Sequence, residues 1–361
     1  MRTRTLTFLT VLALVLAACG GESTDGSTTT PEPDATTTPS VEAVLLSYAL
    51  EPGTVYEYEV DMDQTIEMTS TGDTTAMGEE DIPGELEINM MGTANFTHTV
   101  SDGPEPGTFE VAIVGDFADM EFTGTVDGEP VDESEIPDMA QMEPVDVSVI
   151  VDEQGNVIPD ENEGLGGDML GDLGGLDMLQ SLGGGSAALG QFVGPPLSDE
   201  EVTVGDTWSN TIEIPTLPEA DPVTTQTDSE VVGTEELDGS EVLVIETTTT
   251  TSEIEFDLAQ ILIGFMTAFV PEDASEEEQA EIDAIVEQLR FVISVDETTG
   301  NLTTLFDSAE GLTKQADYAN TTHMVMDVNI PDETTGDLVA FGMDLNITQD
   351  LVYRLVGSGS A

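Results

Sequence analysis

Few side chains in this sequence are suited to covalent or acid–base chemistry. Of its 361 residues one is a cysteine, Cys19, and two are histidines, His98 and His323. A thiol can serve as nucleophile, metal ligand, disulfide partner or acyl acceptor, and a single cysteine closes no disulfide within its own chain. Cys19 stands where the apolar run LTFLTVLALVLAA gives way to GGESTDGSTTTPEPDATTTPS, among small and polar neighbours that offer a buried thiol no core. That placement points to modification rather than packing. The histidines lie in the alternating stretches NFTHTV and NTTHMVM, where a hydrogen-bonded strand histidine is the reading the pattern favours over a catalytic or metal role. No His/Cys cluster at zinc spacing, GxSxG elbow, P-loop or GxGxxG fingerprint occurs.

The elements around Cys19 give its position meaning. Arg2 and Arg4 precede the apolar run, and small residues close it. A basic start, a core of about 7 to 15 apolar residues and a small-residue exit describe a secretory signal, shorter than the roughly 20 residues of a membrane-spanning helix. Residues 1–18 are therefore expected to be removed. The tetrapeptide LAAC, Leu16 to Cys19, followed by Gly20, resembles the lipobox of bacterial lipoproteins. The resemblance implies that Cys19 becomes the first mature residue and carries a diacylglycerol on its sulfur. At about 0.8 kcal/mol per buried CH₂, two or more acyl chains hold a protein durably at a bilayer. The expected location is the cell membrane, lipid-anchored and facing outside the cytoplasm. Residues 19–40, rich in Thr, Ser, Pro and Gly without apolar periodicity, read as a flexible tether.

Charge excludes whole classes of partner. Five Lys and Arg face 75 Asp and Glu, a formal net charge of -70. Beyond the signal the basic side chains are Arg290, Lys314 and Arg354. Such a surface repels phosphate backbones and anionic headgroups, so nucleic acid is no partner. Hydrophobic residues still make up 39% of the chain in regular patterns, which argues for a folded core inside an acidic shell rather than for disorder. Cations should associate weakly over that shell. With so many acids, a carboxylate pair of the glycosidase type is expected by chance. The loop PDENEGLGGD, Pro159 to Asp168, lacks the ligand order of a calcium loop. The 15 methionines read as adaptable core filling rather than copper ligands. The composition predicts no catalytic residues, no metal site and no cofactor, hence no enzyme.

From Val41 onward the chain alternates. TVYEYEV (Thr54 to Val60), TFEVAIV (Thr108 to Val114), DMEFTGTV (Asp119 to Val126) and VDVSVIV (Val145 to Val151) place apolar groups at every second position between turn signals, the period of half-buried antiparallel strands. The pattern recurs. GDTWSNTIEI (Gly205 to Ile214) echoes GTVYEYEVDM (Gly53 to Met62), the segment 238–257 echoes 105–124, and FVISVDETTGNL (Phe291 to Leu302) echoes VSVIVDEQGNV (Val147 to Val157). The expected fold is mainly β within an α+β class, with duplicated antiparallel half-barrel units and a few covering helices. The units are residues 41–197, with a Gly/Leu/Met-rich flap at Leu165 to Val193, and residues 198–361. The second includes a helical hairpin over 258–289, made from the apolar run LAQILIGFMTAFV and a capped helix starting at Ser275, where Glu278 completes the capping box.

Gly53, Tyr56 and Tyr58, with the later VGDTW of Val204 to Trp208, resemble motifs of a family of uncharacterised bacterial lipoproteins, which implies a shared fold and no known activity. In architecture the chain is similar to lipoprotein carriers whose unclosed β barrel, covered by helices, holds acyl chains. A binding module for a lipid or other apolar ligand is the expected function, with Leu258, Ile261, Leu262, Phe265, Phe269, Tyr56 and Trp208 as the residues expected to line its site. The alternative is a structural or interaction protein of the cell envelope with no small-molecule site.

Overall fold

The computed structural model describes residues 43–72, 83–131, 145–156, 158, 194–214, 223–257, 290–331 and 338–360. The signal, Cys19, the tether, the flap and the helical hairpin 258–289 lie outside these residues, and so do the expected ligand residues Leu258, Ile261, Leu262, Phe265 and Phe269.

Every regular element among the described residues is a strand. In chain order they are β1 (Val44–Leu45), β2 (Thr54–Gly72), β3 (Glu85–Asp102), β4 (Thr108–Val126), β5 (Glu129–Pro130), β6 (Val145–Asp152), β7 (Glu201–Val202), β8 (Thr207–Ile214), β9 (Val223–Leu237), β10 (Ser240–Thr251), β11 (Ile254–Asp257), β12 (Arg290–Val295), β13 (Thr298–Asp307), β14 (Leu312–Pro331) and β15 (Leu338–Ser360). The period-2 pattern specifies them. In β2, Tyr56, Tyr58, Val60, Met62, Ile66 and Met68 are buried, while Glu57, Asp63 and Glu67 between them are exposed. A register slip of one residue would turn that acidic row inward, so the pairing is strongly determined.

β1 and β7 form a two-stranded ladder, and all other strands join one 13-stranded antiparallel sheet in the order β5-β4-β3-β2-β15-β14-β13-β10-β9-β8. β6 pairs with β4, and β11 and β12 continue the ladder beside β14. Each stretch of the chain is a meander, and the two are joined by pairing of the first long strand, β2, with the last, β15. Segments 41–197 and 198–361 thus contribute to one sheet. β2, β3 and β4 are neighbours in that order, as are β8, β9 and β10, whereas β6 pairs with β4 and its sequence echo β12 pairs with β14 and β11 rather than with β10.

Two hairpins show how local sequence sets these ladders. Asp127-Gly128 and Asp238-Gly239 each have positive φ at both residues (53° and 78°, then 52° and 87°). That is the two-residue type I′ turn, whose twist matches that of the strands it joins.

The starts of β2, β4, β8, β10 and β14 share one end of the sheet with the ends of β3, β6, β9, β13 and β15. At this end the two sheet edges meet: Asn210 on β8 donates its side-chain amide to Asn156 Oδ1, just beyond β6, at 2.5 Å. Two stretches of chain cross there. The Tyr48 N–H donates to the Glu153 carbonyl and the Ala49 N–H to that of Gly311, while the Leu197 N–H donates to that of Gln154. We call this the closed end. At the far end, the connections 73–82, 132–144, 215–222, 258–289 and 332–337 lie outside the described residues.

Candidate functional site: the buried face of the sheet

The inward positions form two apolar clusters stacked along the strands. The closed-end cluster takes Tyr56 to Met62 of β2, Phe96 and Val100 of β3, Ile113 of β4, Val151 of β6, Ile245 of β10, Phe306 of β13, Tyr318 of β14 and Tyr353 of β15. The chain fills this region with its own side chains: Leu46, Tyr48, Leu50 and Leu197 belong to the cluster. Tyr48 meets Phe306 edge-on with ring centroids 5.5 Å apart, and its hydroxyl donates to the Pro195 carbonyl at 2.9 Å. Burial pushes the Tyr48 and Tyr58 phenols well above the usual tyrosine range. The far-end cluster contains Ile66, Met68, Leu86, Ile88, Val223, Ile254, Ile293, Val295, Met324, Val328, Phe341, Met343, Leu345 and Ile347. Every described member of it comes from a strand.

Between the clusters runs a band of buried polar side chains. On β2 it is Gln64, on β15 Gln349, on β14 Asn320 and Thr322, and on β13 Thr298. It widens to Thr247, Thr249 and Thr251 on β10, and to Thr225, Thr227 and Ser229 on β9. The registers align it into rows. Gln64 is opposite Gln349, Gln349 opposite Asn320, Asn320 opposite Gly300, Gly300 opposite Thr249, and Thr249 opposite Thr227. Two hydroxyl pairs between β9 and β10 satisfy each other, Ser229 with Thr247 at 2.9 Å and Thr225 with Thr251 at 3.3 Å. Nearer the seam, Asn320 donates to the Tyr318 hydroxyl at 2.8 Å. A Cβ at Gly300 would come within 2.9 Å of that hydroxyl, so glycine makes room for the phenol. By contrast, Thr298 Oγ1, Thr322 Oγ1 and Gln349 Oε1 are buried without a protein hydrogen-bond partner.

Of the residues singled out from sequence, the two described ones, Tyr56 and Trp208, fall at the closed end. Tyr56 is buried in the closed-end cluster, its hydroxyl 3.4 Å from the Ala49 carbonyl. Trp208 packs against that cluster half-buried and donates its indole N–H to the Pro196 carbonyl at 2.8 Å. The polar band escaped the sequence reading, although its signal is present: TTTTT at 247–251 and TTQTDS at 224–229 put hydroxyls at inward positions of otherwise apolar alternation.

His98 is buried against Tyr58, with ring centroids 4.6 Å apart. Loss of hydration pushes its pKa down to about 4, so the ring is neutral. His323, on the outer face, lies between two carboxylates: Nδ1 is 2.6 Å from Asp296 and Nε2 is 3.2 Å from Asp344. The hydrogen bond to Asp296, more than any other contact, holds its pKa above the ordinary value. Arg354 reaches across the β15–β2 seam to Asp61 at 2.5 Å, Arg290 lies 3.8 Å from Asp327, and Lys314 contacts Glu310. Among the described residues no group of three or more His, Cys, Asp or Glu is arranged to hold a metal ion. Charge is thus displayed on the outside, and the inward face of the band is polar but neutral.

No protein-family model matches the chain, and neither does any curated protein. Among solved structures it is similar to lipovitellin, described for its lipid–protein interactions, at 12% identity and a TM-score of 0.33, over 86% of this chain and 26% of that one. It is also similar to the outer membrane protease OmpT from Escherichia coli at 8% identity and a TM-score of 0.18, over 86% of this chain and 98% of that one. A third similarity is to the Salmonella SPI-1 type III secretion injectisome secretin InvG in its open gate state, at 9% identity and a TM-score of 0.16, over 85% of this chain and 60% of that one. The chain spans about a quarter of the lipovitellin chain. At these scores the likenesses are loose ones of strand arrangement and carry no weight for function.

Proposed function

We propose that the chain is an extracytoplasmic lipoprotein, anchored in the membrane through acylated Cys19, that binds a lipid or other apolar ligand on the buried face of its sheet and performs no catalysis. The uneven filling of that face supports this reading. Leu46, Tyr48, Leu50 and Leu197 add side chains at the closed end, whereas every described member of the far-end cluster belongs to the strand walls. A concave apolar surface with a few polar groups at fixed positions is the usual form of a small-molecule site. The expected helical hairpin 258–289, with Leu258, Ile261, Leu262, Phe265 and Phe269, joins β11 to β12 at the far end, where a cover over ligand would be attached. In this reading the two echoing segments are a duplicated β unit fused through β15 and β2, and the acidic outer face keeps the tethered domain off anionic surfaces while gathering cations weakly.

Mass spectrometry of the natively purified protein tests the proposal. Acyl mass on Cys19 together with separately extractable lipid is the expected result. An acylated protein with no extractable lipid would leave an envelope protein whose acidic face meets a partner.

A further inference from the structure

We infer that the polar band receives an uncharged, hydroxyl-bearing group of an amphiphile, such as the glycerol of a monoacylglycerol or the end of a long-chain alcohol, whose hydrocarbon lies against the adjoining far-end apolar cluster. The inference rests on the reading of the buried face as a ligand site and names the ligand's chemical class.

Three observations carry it. The first is position: on β2, β15, β14 and β9 the band lies between the filled closed-end cluster and the far-end cluster, so a ligand lying along the far-end strands meets hydrocarbon and then hydrogen-bonding groups. The second is satisfaction. The hydroxyls of Ser229 and Thr247, and of Thr225 and Thr251, are spent on each other, but Thr298, Thr322 and Gln349, at 3%, 2% and 6% exposure, hold oxygens without a protein partner. Buried polar atoms are costly unless hydrogen-bonded. The Gln349 carbonyl oxygen requires a donor, and the threonine hydroxyls can both donate and accept, so a ligand hydroxyl meets all of them. The third is charge. Among the described residues the buried charged side chain is Asp307, whose Oδ1 accepts from the N–H groups of Ala309 and Glu310 in the turn after β13, at the closed end. An ionised headgroup placed in the band would be a buried charge without a counter-ion, and a plain hydrocarbon would leave the oxygens unpaired.

The test presents the full chain with tracer-labelled 1-oleoylglycerol, ionised oleate and octadecene. The glyceride is expected to bind about tenfold more tightly than the other two. Thr322→Val and, separately, Gln349→Leu should weaken glyceride binding by about 3- to 10-fold and leave octadecene unchanged or tighter. Thr322→Ser, which keeps the hydroxyl, should restore glyceride binding. Each substitution removes a buried oxygen that has no protein partner, so folded protein is expected, and Thr298→Val replaces either variant that fails to fold. Equal affinity for glyceride and octadecene, or glyceride affinity untouched by the substitutions, overturns the inference and leaves the apolar-ligand reading standing. Binding of none of the three probes overturns both.

Discussion

Gln64 on β2 and Gln349 on β15 are direct cross-strand partners, both buried, at the seam where the first and last long strands of the chain pair. On each strand the inward neighbours are apolar on both sides: Met62 and Ile66 flank Gln64, and Ile347 and Leu351 flank Gln349. An amide pair set into an apolar face is costly to bury without hydrogen bonds. Here it continues as a band across β14, β13, β10 and β9, which makes it a feature of six neighbouring strands rather than one tolerated defect.

The filling of the closed end should be visible in stability. Leu46 is fully buried, whereas Leu45 beside it is 55% exposed. Leu46→Ala is expected to cost about 2–5 kcal/mol in urea unfolding, and Leu45→Ala less than about 0.5 kcal/mol. Similar losses for both would mean that segment 46–50 does not enter the core as described.

Burial of neutral His98 should make stability depend on pH. Its folded pKa is about 4 against an ordinary 6.5, so between those values the unfolded chain binds a proton that the folded chain refuses. The stabilisation is complete above 6.5 and is lost as pH falls toward 4, by roughly 3 kcal/mol. Carboxylate protonation acts over part of the same range, so the informative quantity is the difference between the wild type and His98→Phe. The variant should show a flatter slope from pH 6.5 to 4. Parallel curves would place His98 in contact with water.

His323 carries the opposite sign. Asp296 and then Asp344 favour its protonated ring, so the folded pKa is raised above 6.5. Its contribution is fully present below 6.5 and is lost as pH rises through the raised value. Titration of the ring by NMR should show the elevation, with Asp296→Asn lowering the pKa more than Asp344→Asn. An unshifted titration in the wild type would contradict the bridging geometry.

Much of this fold was legible in the sequence because its inward rows obey a strict period of two. TVYEYEV, TFEVAIV and VDVSVIV all lie in strands, whereas the echo of VSVIV with FVISV joins strands with different neighbours, β6 beside β4 and β12 beside β14. Other relationships were not legible, because they join distant parts of the chain without a local pattern. The pairing of β2 with β15 is one, and the meeting of Asn156 with Asn210 is another. Tyr56 and Trp208 could be recognised as large inward residues, but not that they pack at the closed end among Leu46, Tyr48 and Leu50. The polar band was hidden for a different reason: threonine is a good strand former on either face, so TTTTT reveals a strand without revealing that three of its five side chains, Thr247, Thr249 and Thr251, point inward.

The net charge of -70 should make the fold salt-dependent. The outward row of β2 alone carries Glu57, Glu59, Asp61, Asp63 and Glu67. Salt also screens the Arg354–Asp61 bridge, but both partners are over 40% exposed, so that loss is below about 1 kcal/mol. Relief of self-repulsion dominates. The melting temperature is therefore expected to rise between dilute buffer and molar NaCl, and a fall or no change would show that the acids do not strain the folded state.

The central claim is that the buried face holds an apolar ligand, and lipid analysis of the natively purified full chain tests it most directly. Organic extraction followed by mass spectrometry should release non-covalent lipid in near-stoichiometric amount, over and above any acyl group retained on Cys19, and enriched in neutral hydroxyl-bearing species. Protein that yields only its covalent acyl group, and takes up no lipid when it is offered, would contradict the account.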